Sequence, residues 1–175
     1  MISVIAGKYK GRKLSYISNV DVRPTQAKVK KSIFDILGNL NNKSVLDLFC
    51  GVGGFGIEAM SRGASELTCV ENNPRVFKIL IKNINTVCSE DKTTLHRMDV
   101  EKFLKLKNSK YDLIFIDPPY GDFDFLRIKE LSSIFLKKNG ILCMEMKKNK
   151  LFNNKEDFRV KKYGSTQVVF WKKII

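Results

Sequence analysis

The chain has 175 residues, of which 43% are hydrophobic, so it can bury one substantial core but is too short for two ordinary domains. Its formal net charge of +14 favours a polyanionic partner such as nucleic acid, with a solvated lysine-rich surface as the alternative. The apolar run after Met1 is too short for a signal peptide, and no stretch approaches the length of a membrane span. We therefore expect a cytoplasmic protein that has no membrane partner.

The cysteines and the single histidine carry no metal-binding pattern. Cys50, Cys69, Cys88 and Cys143 form no C-x-x-C pair and lie mostly in apolar stretches, which is typical of buried reduced thiols. His96 lies in a strand-like segment, and we assign it no role. The sequence thus predicts no metal site.

The first elements in chain order predict an appendage and then a helix. Residues 1–22 hold two strand-like pieces, SVIA and KLSYI, joined by the basic turn GKYKGRK, which predicts a β-hairpin extension. Residues 23–175 would form the main domain. Apolar residues recur at helical spacing after Thr25, a suitable N-cap, and Gly38 is a suitable stop.

Strand and helix patterns then alternate along the rest of the chain. Predicted strands are SVLDL, ELTCV, TTLHRM, YDLIFI and ILCMEM, and predicted helices include FGIEAMSRG, a segment opened by Asn73-Pro74, EKFLKL and FLRIKELSSIFLKK. Such alternation predicts an α/β fold with a mostly parallel sheet covered by helices on both faces. The last segments, FRVKKYG and TQVVFW, predict an antiparallel pair.

The stretch CGVGGFG follows the first of these strands and predicts a ligand loop. Gly51, Gly53 and Gly56 match the G-x-G-x-x-G pattern of dinucleotide sites, and Glu71 follows at the spacing of a ribose-binding acid. Asp47, however, ends the strand before the loop, and a carboxylate there would repel a pyrophosphate. S-adenosylmethionine has no phosphate and carries two cationic groups, so the flanking acids favour it over NAD.

A second motif, IDPPYGD, follows the strand YDLIFI and distinguishes the two cofactors more strongly. Open α/β sheets bind ligands at the carboxyl ends of their strands, where this motif lies. Asp117 and the Pro118 carbonyl can accept the two N–H groups of an exocyclic base amine, while Pro119 stiffens the turn and Tyr120 offers a stacking face. The motif therefore predicts methyl transfer to the amine of an unpaired or flipped base.

At this point the sequence resembles a known family, the bacterial small-subunit (16S) ribosomal RNA guanine-N2 methyltransferases of the RsmD type. The shared motifs are IAGKYKGRKL, VRPTQAKVKKSIFDIL, VLDLFCGVGGFGIEAMSRGA, VENNP, IDPPYG and KYGSTQVVFW, which run nearly end to end. The resemblance implies a Rossmann-like class I methyltransferase fold with a seven-stranded sheet. It also implies transfer of a methyl group from S-adenosylmethionine to guanine N2 in 16S rRNA.

The resemblance places the family's site residues on this chain. It implies catalytic roles for Asp117, Pro118, Pro119 and Tyr120. It implies cofactor contacts by a second set of residues: Arg23, Thr25, Asp47, Phe49, Gly51, Gly53, Glu71, Asn72, Asp99 and Val100.

The basic residues near the amino terminus are the expected RNA contacts. They are Lys8, Lys10, Arg12, Lys13, Lys28, Lys30 and Lys31. The partner would be small-subunit rRNA or an assembling 30S subunit, and we expect a monomer. The alternatives are a DNA adenine-N6 or cytosine-N4 methyltransferase, a non-enzymatic rRNA-binding assembly factor and a nicotinamide oxidoreductase.

Overall fold

The computed structural model describes residues 2–17, 27–106, 109–119, 123–152 and 157–174. The helices are α1 (Ala27–Leu37), α2 (Gly54–Ser61), α3 (Pro74–Val87), α4 (Val100–Leu106) and α5 (Phe125–Ser133). The strands are β1 (Ile2–Ser3), β2 (Lys13–Leu14), β3 (Ser44–Leu48), β4 (Glu66–Glu71), β5 (Thr93–Arg97), β6 (Tyr111–Ile116), β7 (Leu136–Lys147), β8 (Phe158–Tyr163) and β9 (Thr166–Lys172).

Seven of the strands form one sheet in the order β5-β4-β3-β6-β7-β9-β8. The first five of these are parallel to their neighbours, and β9 is antiparallel to both β7 and β8. Strand order reverses between β3 and β6, which creates a crevice at the carboxyl ends of these strands. The predicted fold, with its antiparallel carboxyl-terminal pair, is confirmed.

Helices cover both faces of the sheet because its strands are apolar on both sides. On one face, Val45 of β3 belongs to a cluster that includes Phe34 of α1 and Leu80 of α3. On the other face, Leu46 of β3 packs in a cluster that includes Phe103 of α4. Burial on both faces explains the continuously apolar strands of the sequence.

The amino-terminal hairpin is fastened to α2 and α3 by buried polar side chains. Glu58 of α2 accepts the backbone N–H groups of Ile5 at 2.7 Å and Ala6 at 3.0 Å. Asn83 of α3 accepts from the Ser15 N–H at 2.8 Å and donates to the Ser15 carbonyl at 3.0 Å. The predicted hairpin is present, although its paired segments are only two residues long each.

One predicted boundary is wrong, because the helix after residue 124 is shorter than its pattern suggested. The pattern FLRIKELSSIFLKK predicts a helix to residue 138, whereas α5 ends at Ser133 and β7 begins at Leu136. Phe135 and Leu136 are buried, and the Phe135 carbonyl accepts the Tyr111 N–H at 2.7 Å. Pairing with β6 therefore overrides the helical pattern. None of the helices described is long and apolar enough to cross a membrane.

Candidate active site

A large cleft opens at the carboxyl ends of β3, β4 and β6. Its volume is about 1170 Å³, slightly above the roughly 300–1,000 Å³ of most small-molecule pockets. The ends of these strands form its floor, and the start of α1 and the turn between β8 and β9 form further walls. The cleft therefore lies where the strand order reverses, as expected for this type of sheet.

The loop between β3 and α2 forms one side of this cleft. Phe49 and Gly51 line it and have positive φ angles of 58° and 57°. Gly53 has a φ of 91°, and a Cβ there would lie 2.9 Å from the Leu80 side chain. Gly53 is the N-cap residue of α2, and its left-handed backbone conformation favours glycine.

Asp47 lies behind this loop. Its side chain is only 1% exposed, and its Oδ2 accepts the Gly56 N–H at 2.8 Å. Its Oδ1 is buried and has no hydrogen-bond partner within the described part of the chain. Burial raises the pKa of Asp47 to about 7, although the Gly56 bond lowers it, and Glu71 adds a smaller increase. The predicted direct contact between Asp47 and a cationic ligand stays a prediction.

Glu71, at the end of β4, stands in the cleft wall. Its Oε2 accepts the Gly51 N–H at 3.0 Å, and its Oε1 accepts the Asn73 N–H at 2.7 Å. Asn72 lines the same wall. These two bonds fix the carboxylate while leaving lone pairs of both oxygens for a ligand hydroxyl.

Asp99 and Val100, which follow β5, contribute the next part of the wall. Asp99 Oδ1 accepts the Lys102 N–H at 3.1 Å and so caps the start of α4. Val100 is buried and presents an apolar surface toward the cleft. The structure thus brings both residues together with Glu71 and the glycine loop, as the sequence predicted.

Asp117, Pro118 and Pro119 follow β6 and line the cleft on the side opposite Glu71's strand. The same three residues also line a second cavity of about 490 Å³. They therefore stand between two spaces, one beside the glycine loop and one beside the end of β7. The predicted residues Tyr120, Arg23 and Thr25 lie outside the described residues.

The second cavity contains residues that sequence reasoning missed. Its lining includes Phe123, Phe125 and Glu145, and Glu145 also lines the main cleft. The Phe123 and Phe125 rings meet edge to face with centroids 4.9 Å apart, and Phe123 meets Phe49 in the same way at 5.2 Å. The available signal for Glu145 was its place at the end of the strand beside β6.

The predicted RNA contacts divide into exposed and engaged residues. Lys10, Lys13 and Lys28 are exposed, and Lys31 is exposed beside Asp35 at 2.7 Å. Lys8 is bound to Asp91 at 2.6 Å, and this hydrogen bond raises its pKa.

Two of the predicted RNA contacts also bond within the fold. Arg12 is exposed and donates to the Thr86 and Val87 carbonyls at 3.2 and 3.3 Å, at the end of α3. Lys30 is 4% exposed, and its ammonium lies 3.4 Å from a Glu58 oxygen. Burial lowers the pKa of Lys30 despite this ion pair. Lys30 also lines the cleft, and the RNA contacts of both residues stay predictions.

Comparison with known protein families and sequences identifies relatives of this chain. Residues 2–172 match the family described as Conserved hypothetical protein 95. The chain is 30% identical over 180 residues to the Ribosomal RNA small subunit methyltransferase D of Haemophilus influenzae, covering 98% of this chain and 92% of that protein.

Solved structures share the fold. The Escherichia coli protein yhhF superimposes with a TM-score of 0.87 at 26% identity, covering 99% of this chain and 98% of that one. The Thermus thermophilus 16S rRNA N2 methyltransferase RsmC, solved with AdoMet and guanosine, gives a TM-score of 0.71 at 20% identity over 90% of this chain and 45% of that one. The latter similarity shows the fold alone.

Proposed function

The chain belongs to the family described as Conserved hypothetical protein 95, with the small-subunit ribosomal RNA methyltransferases D, and from this premise we propose that it methylates guanine N2 in 16S rRNA. It is an S-adenosylmethionine-dependent rRNA methyltransferase. The observation that carries the choice of an exocyclic amine is the position of Asp117 and Pro118 between the cleft and the second cavity.

The residues of the cleft fit S-adenosylmethionine. Glu71 offers carboxylate oxygens for the ribose hydroxyls, Phe49 and Val100 offer apolar surface, and Asp99 offers an acceptor for the adenine amine. The buried Asp47 Oδ1, which lacks a hydrogen bond within the described residues, suits the neighbourhood of a cation. When bound, the cofactor supplies a methyl group that is activated by its positive sulfur.

Asp117 and Pro118 prepare the amine for attack on that methyl group. The lone pair of a guanine amine is delocalised into the ring, which makes it a weak nucleophile. The Asp117 carboxylate accepts one N–H and the Pro118 carbonyl accepts the other, which favours a tetrahedral nitrogen with its lone pair directed at the methyl group. As the new nitrogen–carbon bond replaces the carbon–sulfur bond, Asp117 would take up the proton that the amine loses. Phe123, Phe125 and the predicted stacking residue Tyr120 hold the base.

Exposed lysines in the first part of the chain support an RNA substrate. Lys28 stands in the cleft wall, while Lys10 and Lys13 are exposed on the hairpin. Each phosphate contact adds about 0.7–0.9 to the slope of log affinity against log salt. Replacing Lys10 and Lys13 by glutamine should therefore flatten the slope by up to about 2, as measured by RNA binding at several salt concentrations.

A matched control tests whether the flatter salt dependence comes from the position of the lysines or from the loss of positive charge alone. Lys105 at the end of α4 and Lys138 in the first half of β7 are also exposed but lie outside the hairpin. Replacing both by glutamine removes the same charge and should leave the slope nearly unchanged. An equal flattening in both double variants would assign the effect to net charge.

Product analysis tests the proposed reaction. Ribosomal RNA, assembled small subunits and DNA from cells that lack the gene are methylated with labelled S-adenosylmethionine, digested to nucleosides and analysed by mass spectrometry. We expect N2-methylguanosine at one site of 16S rRNA, with assembled subunits compared because proteins can present a loop that free RNA hides. Label in N6-methyladenosine or in DNA would overturn the substrate, and no label in any substrate would favour an assembly factor.

A further inference from the structure

Two acidic residues lie close together where β6 ends beside β7. Ile116 of β6 and Met144 of β7 are the last pair of their ladder, and from this register we infer that the residues that follow them, Asp117 and Glu145, are neighbours. Adjacent strands are about 4.7–4.9 Å apart, and residues opposite each other in a parallel pair project to the same face. Both side chains line the cleft and the second cavity.

A pair of carboxylates accepts hydrogen bonds and suits a ligand edge with two adjacent donors. The Watson–Crick edge of guanine presents N1–H beside the N2 amine, whereas adenine presents a bare N1 lone pair at the corresponding place. A carboxylate facing that lone pair would repel it, because an ionised carboxylate has no proton to donate. The arrangement of Asp117 and Glu145 therefore matches guanine in a way that the motif at Asp117 alone does not.

We propose that Glu145 selects guanine by accepting its N1–H while Asp117 holds the N2 amine. This inference rests on the proposed function, since it concerns the base that the same site methylates. Glu145 touches the substrate but takes no part in the displacement, so its effect falls on the choice of base.

Other residues around Glu145 are placed to contact the Watson–Crick edge of guanine. Lys147 lies two residues further along β7, on the same side of the strand, and lines the second cavity, where it can donate to guanine O6. Phe123 and Phe125 supply ring faces in the same cavity. Burial raises the pKa of the neighbouring Cys143 thiol well above its usual range, and the charges of Glu145 and Asp117 raise it further.

A base analogue tests this reading directly. 2,6-Diaminopurine keeps the N2 amine but replaces N1–H by a lone pair and O6 by a second amine, and it can be placed at the methylated position of 16S rRNA through a synthetic segment. The wild-type protein should prefer guanine by at least about 100-fold in kcat/KM, because a site built for a donor rejects an analogue that lacks it. Equal use of both bases by the wild type would overturn the proposal without any variant.

The variant Glu145→Gln should remove most of the preference. Its amide can donate to the N1 of diaminopurine, so the ratio should shift by about 100-fold toward the analogue. Asp124→Asn is the matched control, because Asp124 lines the same cavity and caps α5 but does not adjoin Asp117. It should keep the wild-type ratio.

The outcomes separate this inference from the proposed function. If the wild type forms no N2-methylguanosine, the proposed function fails and Glu145 has no guanine to select. A second outcome is that the wild type forms N2-methylguanosine, while Glu145→Gln binds S-adenosylmethionine normally and keeps the wild-type ratio of guanine to diaminopurine use. The role proposed for Glu145 is then wrong, and the proposed function stands. A shifted ratio in Glu145→Gln together with an unchanged ratio in Asp124→Asn supports it.

Discussion

The two sides of the cleft are built in different ways. On the β3–β4 side, backbone N–H groups hold the acids in place, since Gly51 and Asn73 bind Glu71 and Gly56 binds Asp47. On the β6–β7 side, the side chains of Asp117 and Glu145 face a second cavity with aromatic walls. The shape of the first side is fixed by backbone hydrogen bonds, whereas the selectivity of the second side depends on its side chains.

This difference separates the expected effects of mutation. Changes on the β3–β4 side should act on stability and cofactor affinity, because the polar groups there support the loop. Changes on the β6–β7 side should act on turnover and choice of base while leaving the cofactor bound. Three substitutions test the contrast, beginning with the largest expected effect.

Asp47→Asn should change the pH dependence of stability. The Asp47 pKa of about 7 lies above its ordinary 3.8, so between these values the native state keeps a proton that the unfolded chain has lost. The wild type should therefore lose stability relative to the variant as pH rises from about 4 to 7, by up to about 4 kcal/mol at 1.36 kcal/mol per unit. Urea unfolding of both proteins across this range measures the difference.

Asparagine is a suitable replacement because its oxygen can still accept the Gly56 N–H. If a ligand cation reaches Asp47, saturating S-adenosylmethionine should restore wild-type stability above pH 7, since the cation favours the ionised carboxylate. Parallel profiles of unfolding free energy against pH for the two proteins would show that Asp47 is ionised throughout this pH range. Burial would then not control its pKa.

Asp117→Ala should reduce the rate of methyl transfer by about 100-fold or more, the scale usual for a positioned acceptor of a reacting proton. S-adenosylmethionine affinity should stay within a few fold, because Asp117 lies on the side of the cleft away from Glu71. Single-turnover kinetics and calorimetry measure the two quantities. Near-normal turnover would remove Asp117 from the mechanism, and a large loss of affinity would erase the division between the two sides.

Glu71→Gln should weaken S-adenosylmethionine binding by about tenfold, because hydrogen bonds to a charged group contribute roughly 1.5–3 kcal/mol and the amide retains only part of this. The first-order rate with saturating cofactor should change little. Glu90→Gln, at an exposed position, is the control for the lost charge. A fall in unfolding free energy with normal S-adenosylmethionine affinity would mean that Glu71 only supports the loop and does not bind the cofactor.

The sequence predicts most of the sheet because its strands are buried on both faces. SVLDL and YDLIFI match β3 and β6 residue for residue, since the first precedes the glycine-rich loop and the second ends at Asp117 and two prolines. The start of β7 could not be predicted in this way. IFLKK has helical character, and the pairing with Tyr111 that makes part of it a strand is a contact between distant residues.

The residues of the candidate site were likewise predicted where a local pattern marked them and missed where their role depends on contacts between distant residues. Glu71 and Asp117 were found because each ends a predicted strand within a motif. Glu145 was missed because its importance depends on which strand lies beside β6, and spacing along the chain does not show this. The ion pair of Lys30 could not be predicted for a related reason, since its partner Glu58 is 28 positions away and the hairpin contacts both residues.

The placement of β9 has a consequence for how the protein forms during synthesis. β9 follows β8 in the chain but lies between β7 and β8, and β8 pairs with no other strand among those described. While the chain is being made, β8 must therefore wait for β9 before joining the sheet. The turn at Tyr163–Thr166, which lines the cleft, is completed at the same moment. Stalled nascent chains that lack β9 should accordingly be open to protease at β8 and unable to hold the cofactor.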